Sequence, residues 1–182
     1  GNPNTGKSTV FNALTGLRQH TGNWPGKTVA RAEGTFDYEG RQYGLIDLPG
    51  TYSLLSVSPD EDVARHALLS DEPAVTVVVV DATRLERNLS LALQILSITP
   101  RVVICLNLVD EAQRHGVEVN AAALSDQLGV PVIPTAARSG QGLDALRRCI
   151  HDVTGDLLLR TPRPLPLASP DLAAARDQLA NG

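Results

Sequence analysis

The sequence predicts an α/β fold in which helices cover both faces of a mostly parallel β-sheet. Two observations predict it. Short runs of β-branched and apolar residues alternate with amphipathic segments, which is the pattern of parallel strands joined by crossover helices. In addition, the chain opens with GNPNTGKST at residues 1–9, which fills every fixed position of the pattern G-x-x-x-x-G-K-[ST]. That pattern forms a loop between a strand and a helix of such a sheet.

The remaining elements are predicted in order from their periodicity and from the residues that interrupt it. Apolar residues at helical spacing follow the opening loop directly and recur in four later segments. The Glu39-Gly40 pair indicates the turn of a hairpin, and Pro59 suits the first turn of a helix. The predicted helices are 8–17, 58–69, 85–98, 120–128 and 142–153, the predicted strands are 28–38, 41–46, 74–80, 101–106 and 130–133, and 19–27 is predicted to be a loop.

The opening loop carries the residue types of the phosphate-binding loop (P-loop) of P-loop NTPases. Gly1 and Gly6 let the backbone curl so that its N–H groups point inward at a helix N-terminus, where anions are bound. Lys7 reaches the outer phosphates of a nucleotide, and Ser8 offers a hydroxyl to Mg²⁺. Taken alone, the pattern also fits a glycine-rich turn that carries a lysine by chance.

The composition divides the chain near residue 158. We expect one domain over 1–158, a proline-rich linker over 159–170, and the start of a truncated helical segment over 171–182. A P-loop normally follows a buried apolar strand, yet no residue precedes Gly1 in the sequence. We therefore expect the first strand of the sheet to be missing from this chain, which we interpret as a fragment.

The bulk composition excludes several classes of protein. With 182 residues and 42% hydrophobic content the chain can form one core, and a net charge of −4 argues against a nucleic-acid-binding surface. The sequence has no apolar run of about 18 residues that could span a membrane. Cys105 and Cys149 lie in apolar settings without metal or disulfide spacing, so we expect both to be buried and free. The four histidines are scattered and are expected at the surface.

A second motif completes a site for phosphate and metal. The residues Asp47-Leu48-Pro49-Gly50 follow an apolar strand, where ligands bind in open α/β sheets. The Asp47 carboxylate can hold Mg²⁺ through water, and the Gly50 N–H can meet a γ-phosphate. A simple strand–loop turn is the structural alternative. Thr28 ends a loop rich in Gly and Pro and can complete the metal shell, with Thr21 and Thr35 as alternatives.

A third motif concerns the base. The residues Asn107-Leu108-Val109-Asp110 end a later apolar strand. A carboxylate at Asp110 matches the paired N1–H and N2–H donors of guanine but faces the acceptor N1 of adenine, a mismatch of about 1–3 kcal/mol. Capping of the following helix is an alternative use of Asn107 and Asp110. After the last strand, a backbone N–H within Thr135-Ala136-Ala137-Arg138 can meet guanine O6.

With these motifs in this order, the sequence resembles the translation-factor-related small GTPases. It is most similar to the cytosolic G domain of the FeoB family of bacterial ferrous iron transport proteins. GNWPG-x-TV, DLPGTYSL and LERNL are far more specific than generic GTPase signatures. The matching stretches cover most of residues 1–155: GNPNTGKSTVFNALTG at 1–16, GNWPGKTV at 22–29, DLPGTYSL at 47–54, DATRLERNLSLALQIL at 81–96 and LGVPVIPTAARSGQGLDAL at 128–146.

The resemblance implies a small-GTPase-like G domain over 1–158 that hydrolyses GTP to GDP and phosphate with Mg²⁺. It further implies that Asn4 helps hold a K⁺ ion that speeds hydrolysis, that Thr28 belongs to the first switch, and that DLPG begins the second. We predict catalytic roles for Lys7, Asn4, Thr28 and Gly50, and magnesium ligands at Ser8, Thr28 and Asp47. The predicted nucleotide-binding residues are Gly1, Asn2, Pro3, Asn4, Thr5, Gly6, Lys7, Ser8, Thr9, Gly26, Lys27, Thr28, Val29, Asp47, Leu48, Pro49, Gly50, Asn107, Leu108, Val109, Asp110, Ala136, Ala137 and Arg138.

The resemblance also implies partners and a location. In the parent protein the G domain is fused to a helical domain and a membrane permease, at the cytoplasmic face of the bacterial inner membrane. There GTP regulates or drives ferrous iron uptake, while the fragment itself is expected to be soluble and to bind no nucleic acid. The sequence contains no cluster of iron ligands, so iron transport follows from the resemblance alone, and nothing in it indicates an oligomeric state.

Two positions depart from the usual guanine-binding motifs. Leu108 replaces the lysine of N-K-x-D, and Ala136 replaces a serine that commonly supports the base loop. Without the lysine stem lying over the base, nucleotide affinity should fall and exchange should be fast.

The predicted catalytic machinery also lacks a familiar part. Thr51 and Tyr52 follow Gly50, so the glutamine that orients the attacking water in other GTPases is missing from its usual place. We expect slow intrinsic hydrolysis, with the water held by backbone groups around Thr28 and Gly50. A monovalent cation at Asn4 would take the place of an arginine finger.

Three alternatives to this function are open. A switch with negligible hydrolysis would bind nucleotide but not turn it over. A ribosome- or RNA-associated GTPase shares the motifs but predicts an appended basic module. An ATPase with the same loop predicts no guanine preference from Asp110.

Overall fold

The computed structural model describes residues 1–16, 19–55, 58–70 and 73–155. The predicted linker at 159–170 and the predicted helical segment at 171–182 lie outside the described residues. In chain order the elements are α1 (Lys7–Thr15), β1 (Gln19–Asn23), β2 (Ala30–Tyr38), β3 (Arg41–Asp47), α2 (Pro59–Ser70), β4 (Thr76–Asp81), a 3₁₀ turn (Ala82–Arg84), α3 (Leu85–Ile98), β5 (Val102–Asn107), α4 (Val109–Arg114), α5 (Ala121–Leu128), β6 (Val132–Pro134) and α6 (Leu143–Thr154).

The described strands form two three-stranded sheets. Strands β4, β5 and β6 are parallel, as expected of strands joined by helices, and their pairing sets Asp81 opposite Asn107 and Leu106 opposite Pro134. Strands β1, β2 and β3 are antiparallel, with Ala32 opposite Asp47. The predicted α/β class with a parallel sheet and covering helices is confirmed.

Helices cover both faces of the parallel sheet because its strands are apolar on both sides. Val78, Val80 and Leu106 belong to one core cluster, together with residues of α2, α3 and α5. Val79 and Cys105 point the other way, into a cluster with residues of α1 and α6. All six residues of β5 are buried, so Asn107, the last residue of β5, lies in the protein interior.

The prediction of a loop over 19–27 is wrong in its first half. Residues Gln19–Asn23 form strand β1, which pairs along its whole length with β2. Four of its five residues are exposed, and Gly22 lowers the strand propensity. The sequence therefore carries no apolar alternation here, and the strand exists because β2 offers a free edge to pair with.

Helix α4 (Val109–Arg114) is not among the predicted helices, although the alternative role of Asn107 and Asp110 as caps implied a helix at this point. It has only six residues, and it begins after Leu108, which adopts a left-handed conformation with φ 63°. A helix this short carries too few apolar positions to show a 3.6-residue period. The ends of the other predicted elements lie within about two residues of the observed ones.

The side chains outside the site behave largely as expected. Both cysteines are buried and free, as predicted. Burial raises the pKa of the Cys105 thiol to about 11, against the opposing effect of its hydrogen bond with Thr135.

Three of the four histidines are exposed, as predicted: His20, His66 and His115. The fourth, His151, is half-buried, and its Nδ1 lies 2.7 Å from the Tyr43 hydroxyl. Within the described ranges, no helix has the length and apolar character needed to cross a membrane.

Candidate nucleotide-binding site

The P-loop folds as the pattern predicts. Gly6 precedes α1 with φ 78°, and its carbonyl accepts the first helical hydrogen bond from the Val10 N–H at 2.9 Å. A Cβ atom at Gly6 would overlap the Nδ2 of Asn107, so only glycine fits both the backbone conformation and the space. Asn4 is exposed at the tip of the loop and also has a positive φ of 65°. The loop therefore leads through Gly6 into the N-terminus of α1, a position at which proteins bind anions.

The two charged residues expected to handle phosphate and metal are in contact. The Nζ of Lys7, on the first turn of α1, donates to the Oδ1 of Asp47 at the end of β3. Their side chains are 19% and 16% exposed, so the pair is neither dry nor fully solvated. A phosphate arriving at Lys7 and a cation arriving at Asp47 would each replace one half of this ion pair, which links the two binding events.

A cleft of about 610 Å³ opens beside this ion pair. Its lining combines the end of β3 with the start of β2, the loop before β2 and the first residues of α2. Thr28 and Thr21 both line it, whereas Thr35 lies within β2 opposite Gly44. The lining residues are Lys7, Thr21, Thr28, Val29, Ala30, Arg31, Ala32, Asp47, Leu48, Pro49, Gly50, Pro59 and Asp60.

The donor set at this cleft fits Mg²⁺. Asp47 supplies one carboxylate, and Thr28 supplies a hydroxyl from the same cleft. Ser8 is exposed on the first turn of α1, next to Lys7, and offers a second hydroxyl. Mg²⁺ is bound in proteins through one or two carboxylates plus hydroxyl, water and phosphate oxygens. Asn4 presents an exposed amide oxygen, a suitable ligand type for a monovalent cation.

The DLPG segment lies directly against the P-loop. Gly50 packs so closely on Pro3 that a Cβ atom there would come within 3.3 Å of the Pro3 Cα. The next residue, Thr51, donates its backbone N–H to the Gly1 carbonyl at 3.2 Å, and its Oγ1 lies 3.1 Å from a carboxylate oxygen of Glu61 on α2. The start of the second predicted switch is thus fixed at one end to the P-loop and at the other to α2.

At the base end, Asn107 is 1% exposed and its side chain connects two loops, the P-loop and the loop that follows β6, called the last loop below. Its Nδ2 donates to the Thr5 carbonyl of the P-loop at 3.0 Å. Its Oδ1 accepts from the Ala137 N–H at 3.1 Å and from the Thr135 hydroxyl at 3.2 Å. The side-chain amide of Asn107 therefore connects the P-loop to the last loop through hydrogen bonds.

Asp110 and the last loop complete the predicted base site. Asp110 lies in the first turn of α4 and forms an exposed ion pair with Arg114, with 3.2 Å between Oδ2 and Nη2. The Ala136 N–H donates to the Gln141 carbonyl at 3.1 Å, and the Ala137 N–H donates to Asn107. A base carbonyl approaching either amide would share a donor that already has a partner.

The structure adds residues that the motifs did not single out. Thr135 is fully buried between Asn107 and Cys105, with its Oγ1 3.2 Å from the Cys105 Sγ. Gly142 has φ 77° and no room for a Cβ atom beside the Pro134 carbonyl. Arg31 lines the cleft as a second cation beside Lys7. Thr135 belongs to the last motif but was given no role of its own, and Arg31 lies in β2, whose neighbours at the cleft only the fold reveals.

A second cleft of about 660 Å³ lies between the turn that joins β2 to β3 and the end of α6. Its lining includes Tyr38, Arg41, Arg148, His151 and Asp152. Arg41 and Asp47 are the first and last residues of β3, so the two clefts lie at opposite ends of this strand. None of the predicted site residues lines the second cleft.

A family model described as Ferrous iron transport protein B matches residues 1–150.

Curated relatives are similar over most of the chain. The Fe(2+) transporter FeoB of Salmonella typhimurium is 43% identical over 185 aligned residues, which cover 98% of this chain. The Fe(2+) transporter FeoB of Escherichia coli K12 is 47% identical over 154 residues, or 82% of this chain. The chain spans only 24% and 20% of the lengths of these two relatives.

Solved structures show the same fold. The G domain of the T. maritima FeoB iron transporter has a TM-score of 0.79 at 41% identity, covering 84% of this chain and 93% of that one. The cytosolic domain of the same transporter in its GMPPNP form has a TM-score of 0.84 at 40% identity, covering 87% and 63%. A GDP form of it has a TM-score of 0.83 at 40% identity, covering 88% and 63%. The fold of this chain is therefore that of a P-loop GTPase.

Proposed function

Because the chain belongs to the ferrous iron transport protein B (FeoB) family, we propose that residues 1–158 form a G domain that binds guanine nucleotide and hydrolyses GTP to GDP and phosphate. The observation that carries this proposal is the contact between Lys7 and Asp47 beside a cleft that Thr28 also lines. These three residues come from separate parts of the chain, and each has the chemistry that a metal–triphosphate group needs.

The base end supports guanine as the preferred base. Asp110 stands at the start of α4, and Asn107 fixes both the P-loop and the last loop in place. The T. maritima structures in GMPPNP and GDP forms agree with a guanine nucleotide. The apolar side chain of Leu108 and the small side chain of Ala136 support weak binding and fast exchange, because neither covers the base with a long stem or adds a hydrogen bond to its loop.

Hydrolysis in this proposal is in-line attack by water on the γ-phosphorus. A bond forms between the water oxygen and the γ-phosphorus, the bond from that phosphorus to the bridging β–γ oxygen breaks, and the proton of the water leaves with the phosphate or to solvent. Lys7 and the P-loop N–H groups hold the phosphate oxygens and offset their growing charge. Ser8, Thr28 and Asp47 would hold Mg²⁺, which would offset charge at the outer phosphates.

Neither of the two side chains directly after Gly50 takes the place of a water-orienting glutamine: the Tyr52 ring centre lies 4.8 Å from the Arg87 guanidinium, and the Thr51 hydroxyl is engaged with Ser53 and Glu61. We therefore assign the water to backbone groups near Thr28 and Gly50, and we expect slow intrinsic turnover. Asn4 would hold a K⁺ ion, which would add positive charge where other GTPases use an arginine finger.

The parent protein is proposed to use this domain to regulate or drive ferrous iron uptake by a membrane permease. The support is family membership and the small share of the FeoB transporters that this chain spans. In that arrangement, the domain lies on the cytoplasmic face of the inner membrane, followed by the linker at 159–170 and the helical segment that begins at 171. Iron is the cargo of the permease and not a ligand of this domain.

The test is GTP turnover by the purified chain in K⁺ against Na⁺ at equal ionic strength. We expect faster turnover in K⁺ than in Na⁺ for the parent sequence and equal rates in both salts for Asn4→Ala. Equal rates for the parent sequence would contradict the role of K⁺. Turnover at the buffer background together with measurable GDP binding would instead favour a nucleotide switch, which the missing glutamine also allows. Competition binding of GTP against ATP separates the GTPase and the nucleotide switch, which prefer GTP, from an ATPase, which shows no guanine preference.

A further inference from the structure

The loop that carries Thr28 has a buried anchor. Residues 21–28 are exposed with the single exception of Trp24, which is 7% exposed. A tryptophan in a loop can be left in solvent, so its burial here requires partners from elsewhere in the fold.

Its partners lie on both predicted switch segments. Trp24 forms a separate hydrophobic cluster with Val63 and Ala67 of α2, and Val29 and Leu48 pack against that cluster. Val29 is next to Thr28, and Leu48 belongs to the DLPG segment. Val29 and Leu48 also line the cleft beside Lys7 and Asp47. The indole therefore contacts elements that carry both predicted switches.

Further contacts hold the same loop. Two backbone hydrogen bonds close residues 24–29 into a compact turn. The backbone N–H of Trp24 donates to the Val29 carbonyl at 2.9 Å, and the backbone N–H of Lys27 donates to the Trp24 carbonyl at 3.0 Å. The Arg31 guanidinium lies 4.5 Å from the centre of the indole ring.

An ion-pair network adds a polar connection to α2. The Lys27 Nζ lies 2.7 Å from one carboxylate oxygen of Asp62, and Arg65 lies 3.0 Å from the other. Hydrogen bonds from Lys27 and then Arg65 hold the pKa of Asp62 below its usual value. These exposed pairs contribute little on their own, so the buried indole is the main attachment.

We propose that Trp24 is a positioning residue for GTP hydrolysis, which fixes the loop bearing Thr28 to α2 so that Thr28 is held at the cleft beside Lys7 and Asp47. The inference rests on the proposed GTPase function and assigns a role to a residue that touches neither phosphate nor metal. Because Trp24 packs on α2, a displacement of Thr28 toward or away from the phosphates is transmitted to Val63 and Ala67. The same packing lets α2 restrict Thr28.

The role can be separated from general stabilisation with matched variants. Trp24→Leu removes the indole from the loop, and Phe36→Leu removes another buried aromatic ring, which is 1% exposed and packs against α1 and α6. Trp24→Phe keeps an aromatic ring in the pocket, and Val63→Ala removes a partner from the α2 side. For each variant, kcat and KM for GTP, GDP affinity and thermal stability are measured on the purified chain.

We expect Trp24→Leu to lower kcat by about 10-fold or more, because small misplacements of a catalytic group are costly, with GDP affinity within about twofold of the parent. Val63→Ala should lower kcat in the same direction, Trp24→Phe should restore most of it, and Phe36→Leu should leave it unchanged at a comparable loss of Tm. An unchanged kcat in Trp24→Leu, or equal losses in Trp24→Leu and Phe36→Leu, would overturn the positioning role. If the parent sequence itself shows no turnover, the proposed GTPase function fails instead.

Fluorescence gives a second readout, because Trp24 is the one tryptophan of the chain. Its emission should differ between GDP and a non-hydrolysable GTP analogue, and Val63→Ala should reduce that difference. Identical spectra with the two nucleotides bound would contradict a coupling through the indole.

Discussion

At the base end of the site, Asn107 is 1% exposed and its amide bonds to Thr5, Thr135 and Ala137. At the phosphate end, the Lys7 and Asp47 side chains are 19% and 16% exposed, and they contact each other beside an open cleft. The first group of contacts lies on the parallel sheet, at the end of a fully buried strand. The second spans from α1 to the antiparallel sheet.

This difference separates a preformed scaffold from groups that change partners. A buried amide whose nitrogen and oxygen are both hydrogen-bonded within the protein loses more than it gains by rearranging. An accessible ion pair can exchange one ionic partner for another at little net cost. We infer that the base end sets where the P-loop lies, while the phosphate end carries the parts that respond to the nucleotide. Substitutions at the two ends should therefore fail in different ways.

The largest effect is expected from Lys7→Ala. Removing a charge aimed at the phosphates should lower kcat for GTP by about 10²- to 10³-fold, in line with the loss of one preorganised electrostatic group. Stability should change by less than about 1 kcal/mol, since the lost ion pair is partly solvated. Steady-state phosphate release and thermal unfolding measure the two quantities.

A control for Lys7→Ala is Arg41→Ala, which removes a cation at the other end of β3. It should leave both quantities near the parent values. A Lys7→Ala chain that hydrolyses GTP at the parent rate would refute the assignment of the phosphate end.

Asn107→Ala should do the opposite: it should reduce stability as well as binding. The change leaves the buried Ala137 N–H without its acceptor and the Thr5 carbonyl without its side-chain donor, at about 1–3 kcal/mol for each unsatisfied buried group. We expect a loss of about 2–4 kcal/mol in the free energy of unfolding and roughly 100-fold weaker GDP binding, because the P-loop and the last loop lose their connection. Urea unfolding and equilibrium titration check the two values.

Thr135→Val tests the same scaffold more gently. It removes one hydroxyl at nearly constant volume, so its cost should be about half that of Asn107→Ala or less. If Asn107→Ala weakened GDP binding without any loss of stability, Asn107 would be a ligand group and not a scaffold.

Asp110→Asn should change which base is preferred without changing the fold. The side chain is 42% exposed and its pair with Arg114 is a surface ion pair, so stability should stay within about 0.5 kcal/mol of the parent. The preference for GTP over ATP should fall by about 5- to 150-fold, the equivalent of a 1–3 kcal/mol mismatch. Competition binding measures the ratio, with Glu111→Gln, the neighbouring acid of α4, as control. An unchanged ratio in Asp110→Asn would remove Asp110 from base recognition.

The sequence predicted the parallel sheet at the base end of the site better than the antiparallel sheet at the phosphate end. Strand β5 and helix α3 were predicted closely, because a fully buried apolar run and a long amphipathic period leave few alternatives. Strand β1 was missed because its residues are exposed and polar, and its stability comes from pairing with β2. Local sequence does not encode that pairing.

The same reasoning applies to the site. Motif spacing assigned Lys7 to the phosphates and Asp47 to the metal, and the structure brings these two side chains into contact. It assigned Asn107 to the nucleotide or to a helix cap, and it did not predict the hydrogen bonds that the Asn107 amide makes to Thr5 and Ala137. The burial of Trp24 against α2 depends on how two loops pack, and no spacing in the sequence specifies such packing.

The smallest effect is expected from Leu108→Lys, a change at the base end of the site. Leu108 already adopts the left-handed conformation, and lysine tolerates that conformation as leucine does, so Leu108→Lys adds no new backbone strain. A lysine stem covering roughly 40 Å² of the base would contribute about 1 kcal/mol at 25 cal/mol per Å², which is about fivefold in GDP affinity. The gain should appear as slower GDP release, measured by displacement of a fluorescent GDP analogue.

The control is Glu111→Lys, which places a positive charge on α4 without a side-chain stem at position 108. It separates the effect of charge from the effect of covering the base. Slower release in both variants would mean that charge alone limits nucleotide residence, and an unchanged rate in Leu108→Lys would place the side chain of residue 108 away from the base.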